Sequence, residues 1–142
     1  MQHHRHAATR TQRPPSSAAI KRSVTARLEP SGDEDRYDEF KQGETIFKEG
    51  DAATMMYVVV EGAVRISVNG RVVENVGTGG VLGEMALLGT GPRSATAAAA
   101  TDCKLAPVDL KRFTLLVQQV PHFSLQVMRV IVDRLRRIDQ KL

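Results

Sequence analysis

Between Gly43 and Val108 the apolar side chains fall into short runs, each closed by a turn residue. Thr45 to Lys48 ends at Glu49-Gly50-Asp51, Met55 to Val60 ends at Glu61-Gly62, and Ala63 to Val68 meets Asn69-Gly70 before Arg71 to Val76. Runs of this length bounded by glycine predict strands. Asn-Gly between two β-branched runs predicts a tight hairpin, because both residues tolerate the positive φ of a type I′ turn. Val64, Ile66 and Val68 alternate with Arg65, Ser67 and Asn69, the period of a strand with one wet face. Thr96 to Ala100 is too rich in alanine for propensity to classify, but it precedes the alternating Asp102-Cys103-Lys104-Leu105 and is read as a strand.

After Pro107 the period lengthens. Asp109 can cap a helix through about Gln119 with Phe113, Leu116 and Val117 on one face, and Pro121 opens a second helix running to the C-terminus. Along that helix Phe123, Val127, Val130 and Arg134 share one face, predicted to turn toward the strands. Met128, Ile131, Leu135, Ile138 and Leu142 form a second stripe, predicted to meet a partner helix, in a second copy or an effector protein.

The N-terminal part has no such pattern. Six Lys/Arg precede Pro30 against Glu29 alone, among Ser, Thr, Ala and a Pro-Pro pair. Residues 1–38 are therefore expected to form a basic, disordered tail, with the domain over 39–142. Taking those charges from the 20 Lys/Arg and 16 Asp/Glu of the chain leaves fourteen against fifteen, so the net charge of +4 belongs to the tail and gives no basic face for nucleic acid. No apolar run is long enough to span a bilayer. Cys103, the sole cysteine, excludes an internal disulfide; it alternates with Leu105 as a buried strand thiol, and a reducing cytoplasm fits. His3, His4 and His6 lie in the tail, where metal binding is incidental, and His122 has no evident ligand partners.

The segment with chemical content runs from Gly83 to Thr96: Gly-Glu-Met-Ala-Leu-Leu-Gly-Thr-Gly-Pro-Arg-Ser-Ala-Thr. A short helix starting near Gly83 and an arginine after a glycine-rich turn can grip phosphate oxygens together, with Ser94 as a further donor. Glu84 would repel that anion unless it points to a sugar hydroxyl beside it. Taken alone, Arg93 could equally be a surface ion pair and Glu84 a helix-start carboxylate. The residues by themselves support a sugar-phosphate cradle.

The Gly-Glu-Met-Ala-Leu and Pro-Arg-Ser-Ala-Thr blocks closely resemble the phosphate-binding cassette of cyclic-nucleotide-binding domains, the family of bacterial catabolite activator proteins, protein kinase A regulatory subunits and cyclic-nucleotide-gated channels. The resemblance covers about Phe40 to Arg137, including the turns at Gly50, Gly62 and Gly80. It implies a mainly β fold, a β-roll of the double-stranded β-helix jelly-roll type with flanking helices and a C-terminal lid helix. It further implies that Arg93 pairs with the cyclic phosphate, Glu84 accepts from the ribose 2′-hydroxyl, and backbone groups of Gly83, Met85 and Ala86 complete the cradle. Ile66 and Leu82 would line the nucleotide, Arg134 would lie over the purine, and Ser94, where Thr accompanies cGMP, points to cAMP with cGMP second; by its own surroundings Arg134, beside Arg136 and Arg137, could equally be a solvated arginine.

Three departures stand out. Leu82 replaces the usual aromatic before Gly-Glu, no clear amphipathic helix precedes the first strand, and the chain stops at Leu142 with no room for a helix-turn-helix. The expected function is non-catalytic sensing of a cyclic nucleotide, without a cofactor, signalled by movement of the C-terminal helix. A degenerate module kept for protein interaction is the alternative. A metal enzyme on a similar roll would need inward histidines, and no histidine lies between His6 and His122.

Overall fold

A computed structural model of the chain describes residues 13–28, 37–89 and 91–140. Helix α1 (Ser17–Arg27) precedes strands β1 (Asp38–Phe40), β2 (Thr45–Phe47), β3 (Met56–Glu61), β4 (Val64–Val68), β5 (Arg71–Val76) and β6 (Val81–Leu82). A short helix α2 (Met85–Leu88) leads to β7 (Thr96–Ala99) and β8 (Cys103–Val108), and α3 (Leu110–Gln119) and α4 (Phe123–Gln140) complete the order. The strands form two antiparallel sheets, ordered β1-β8-β3-β6 and β2-β7-β4-β5. This is the expected β-roll with flanking helices.

The Asn-Gly hairpin forms as predicted: Asn69 and Gly70 take φ of 52° and 78° between the paired Val68 and Arg71. The first sheet is covered on both faces, so its strands read as near-continuous apolar runs. Phe47, Val59, Val64, Ile66, Leu82, Ala97, Ala99, Cys103 and Leu105 pack between the sheets, while Met56, Val58, Val81, Ala106 and Val108 face the helices. Burial of Cys103 raises its thiol pKa, with Asp102 and Glu44 adding to the shift. Strand β8 runs through Pro107 to Val108. Pro107 lies past the reach of β1, which pairs only with residues 103–105, and a missing N–H is tolerated where a strand has a neighbour on one side only.

The expected tail is overturned over residues 17–28, and with it the expectation that no amphipathic helix precedes the first strand. Ser16 caps α1 by accepting from the Ala19 amide at 3.1 Å. Ile20, Val24 and Leu28, one helical stripe, are buried in the cluster that holds Leu116, Phe123 and Val127. Three apolar residues suffice because the surface they cover is already built by α3 and α4. Residues 1–12 and 29–36, also assigned to the tail, lie outside the described residues.

Asp109 caps α3 through the Arg112 amide at 2.8 Å, as read from the sequence. On α4, Phe123 and Val127 are buried and Val130 packs against them, so the predicted inner face holds. The outer stripe shifts by part of a turn. Ile131 packs against the helix-side core, and the exposed row is Leu125, Met128, Val132 and Leu135. The Ile138 side chain and Leu142 lie outside the described residues.

Candidate functional site

The cassette begins where β6 ends. Gly83 turns the chain with φ of 72°, a left-handed backbone that favours glycine, and a Cβ there would lie 2.5 Å from Arg93 Nη1. Glu84 follows as the residue before α2 and is only 3% exposed. The Ala86 amide closes the turn onto the Gly83 carbonyl at 3.1 Å. The Met85 side chain points to solvent and Ser94 is exposed, so neither is held in place by the core.

Arg93 is 8% exposed. Its Nη2 donates to the Met55 carbonyl at 2.8 Å and its Nη1 to the Gly83 carbonyl at 3.4 Å, tying it to the residue next to Glu84. Its Nε is buried without a hydrogen-bond partner, and among the described residues no carboxylate forms an ion pair with it. Burial lowers its pKa, opposed by Tyr57 and Asp51. A buried guanidinium with an orphaned donor is costly unless an anion meets it.

Glu84 has a partner from a distance. Arg134, on α4, donates to the Glu84 carboxylate through Nη1, to Glu74 through Nε at 3.0 Å, and to the Val81 carbonyl through Nη2 at 3.1 Å. Arg137, one turn on, reaches Glu74 at 3.1 Å and the Val73 carbonyl at 3.1 Å. Burial alone would raise the Glu74 carboxyl, but hydrogen bonds and charge from Arg134, then from Arg137, outweigh it and hold the pKa below its ordinary value. The last turns of α4 are thereby fastened to β5 and to the cassette.

The structure thus brings Gly83, Glu84, Arg93 and Arg134 together. Arg134 reaches the site as expected, but its guanidinium is spent on Glu84 and Glu74. Ile66 and Leu82 are buried in the inter-sheet core. Sequence reasoning missed Glu74, Phe47 and Tyr57. Glu74 sits among exposed residues of a β-hairpin, and its partners lie some sixty positions away. Only the register of β4 with β5, which sets Glu74 opposite Ile66, could have pointed to it. An anionic group met by Arg93 and a hydroxyl met by Glu84 is what such a site can bind.

The family described as cyclic nucleotide-binding domain matches residues 37–120, more than half of the chain. A cAMP-dependent protein kinase regulatory subunit of Debaryomyces hansenii is 45% identical over 64 residues, covering 45% of this chain and 14% of that protein. A CRP-like cAMP-activated global transcriptional regulator of Mycobacterium tuberculosis is 30% identical over 111 residues, covering 73% of this chain and 49% of that protein. This chain therefore spans half or less of the length of these relatives, both of which are regulatory proteins by name. The crystal structure of Thermus thermophilus catabolite activator protein superposes with a TM-score of 0.63 at 27% identity, covering 90% of this chain and 58% of that one. With the cassette geometry and the two-sheet roll in agreement with this match, the chain belongs to the cyclic nucleotide-binding domain family.

Proposed function

We infer that the chain is a non-catalytic sensor that binds cAMP, with cGMP as the weaker ligand, and passes the event to a partner through α4. Arg93 pairs with the cyclic phosphate and Glu84 accepts from the ribose 2′-hydroxyl. The backbone of Gly83, Met85 and Ala86 with the Ser94 hydroxyl completes the cradle, and Ile66 and Leu82 pack on the nucleotide. The observation that carries this reading is Arg93: a buried cation with no ion-pair partner among the described residues and an orphaned Nε. No cofactor enters the function. The cytoplasm is its compartment, and no described helix is long and apolar enough to cross a membrane.

Arg134 supplies the link to α4. It holds Glu84, so a ribose hydroxyl must share or displace it, and α4 feels the difference. The coupling equals the ligand's differential affinity for the two positions of that helix and no more. The exposed row Leu125, Met128, Val132 and Leu135 keeps three-four-three spacing, suited to a second copy or an effector helix.

The same Arg134–Glu84 contact favours the alternative, a module whose ribose acceptor is permanently filled and which serves interaction alone. Calorimetry of the whole chain with cAMP, cGMP and a cyclic dinucleotide separates the two. Micromolar or tighter binding of cAMP supports the sensor, and no heat with any of the three ligands removes it.

A further inference from the structure

The guanidinium of Arg93 lies over the Phe47 ring in an aromatic corner. Its Cζ is 4.1 Å from the centroid of the Phe47 ring and 5.9 Å from that of Tyr57. The two rings stack on each other, 6.3 Å apart and 24° from parallel. Phe47 comes from β2 and Tyr57 from β3, so the corner is made by one strand of each sheet. Phe47 is itself held in the inter-sheet core, where its register partner is Ala97.

The main chain of Arg93 is fixed independently. Its amide donates to the Asp51 carbonyl at 2.8 Å, and its carbonyl accepts from the Gly50 amide at 2.9 Å. With both ends tied, the side chain has few ways to lie.

A guanidinium forms hydrogen bonds only in its plane, and its faces carry positive charge without donors. An aromatic face is negative and attracts that charge. A ring beneath Arg93 therefore occupies a face of the group to which no phosphate oxygen can hydrogen-bond. The carbonyls of Met55 and Gly83 set its rotation within the plane, and Nε remains unpartnered. A lysine here would gain less from the ring and offer no fixed fork.

We propose that Phe47, backed by Tyr57, is a positioning residue: an aromatic seat that holds the Arg93 guanidinium in its anion-binding orientation before ligand arrives. The proposal rests on Arg93 being the partner of the ligand phosphate. Ordering a long side chain at the moment of binding weakens affinity by about 3- to 10-fold, and the seat removes that cost from the binding step.

The test replaces Phe47 in the whole chain by Leu and, separately, by phenylalanines of increasing fluorination, which keep the ring's shape while draining its π face. Two quantities are read: cAMP affinity by calorimetry, and the Arg93 Nε–H proton resonance by NMR without ligand. The expected result is about 3- to 10-fold weaker binding for Phe47→Leu, a stepwise loss along the fluorinated series, and a shifted Nε–H resonance when the ring current disappears. A packing role alone would leave the fluorinated proteins binding like wild type, and that outcome overturns the proposal, as does tighter binding. Should Phe47→Leu fail to fold, the fluorinated series decides. A wild type that binds neither cAMP nor cGMP removes the functional reading. The seat is then judged by the ligand-free resonance alone, and a position unchanged by loss of the ring refutes it.

Discussion

Arg93→Ala removes the buried cation on which the functional reading turns. Each hydrogen bond from a charged donor contributes about 1.5–3 kcal/mol, and a partly desolvated phosphodiester would lose two such bonds with incomplete compensation from water. The expected loss of cAMP affinity is on the order of 2 to 4 kcal/mol, or about 30- to 1,000-fold in Kd. The same substitution strips the Met55 carbonyl of a donor at 2.8 Å and leaves space beside Phe47. Those losses are offset by release of a cation that folding had desolvated, so stability should fall by only about 1 kcal/mol. The mutant is therefore testable as a folded protein. Calorimetry with cAMP, with a thermal melt followed by circular dichroism as control, measures both quantities. Arg93→Lys, which keeps the charge but lacks the planar fork and the broad cationic face, should fall between wild type and Ala. A folded Arg93→Ala protein that binds cAMP within about twofold of wild type, less than about 0.5 kcal/mol, would refute the reasoning.

Three further outcomes are expected. Glu84→Ala should weaken cAMP by about 1 to 3 kcal/mol and abolish the preference for cAMP over its 2′-deoxy analogue; a preference that persists shows that Glu84 is not the hydroxyl's acceptor. Because the Glu74 pKa is depressed by folding, its contribution is present above the unfolded value of about 4.3 and is lost as pH falls through the lower folded value. The protection of α4 amides against hydrogen exchange, taken relative to the intrinsic rate at each pH, should fall over that acid range in wild type, and Glu74→Gln should show the lower protection already at neutral pH; a Glu74→Gln profile that matches wild type removes Glu74 from the α4 anchor. Leu135→Glu places a charge in the exposed α4 row and should lower self-association in sedimentation while sparing cAMP binding, and a wild type monomeric with and without ligand rules out the second copy as the partner.

Much of the site was legible because its determinants are local. Asn69-Gly70 specifies its hairpin by backbone sterics, and Gly83 through Arg93 carries glycine, carboxylate and guanidinium within a single short segment. The inner face of α4 was likewise readable from spacing, since Phe123, Val127, Val130 and Arg134 follow the helical period whatever they pack on. The alanine strand β7 was placed only by its neighbour, because Ala97 and Ala99 gain strand character from burial between sheets.

Tertiary structure alone decided three things. Helix α1 reads as an acid-poor, serine-rich tail, and Ser16 with the four-residue spacing of Ile20, Val24 and Leu28 was its only local signal. Those side chains overcome the entropy of ordering only because Phe123 and Val127, a hundred positions on, present the apolar surface they cover. Which side of α4 stays bare was decided the same way, when Ile131 met the core and Val132 did not. The state of the charged groups was also beyond any local pattern. Sequence pointed to Glu84, Arg93 and Arg134 as candidate site residues, whereas the fold decided that Arg134 holds Glu84 and that Arg93 rests on Phe47 with no carboxylate among its described partners, because pairing of charges depends on distances through space.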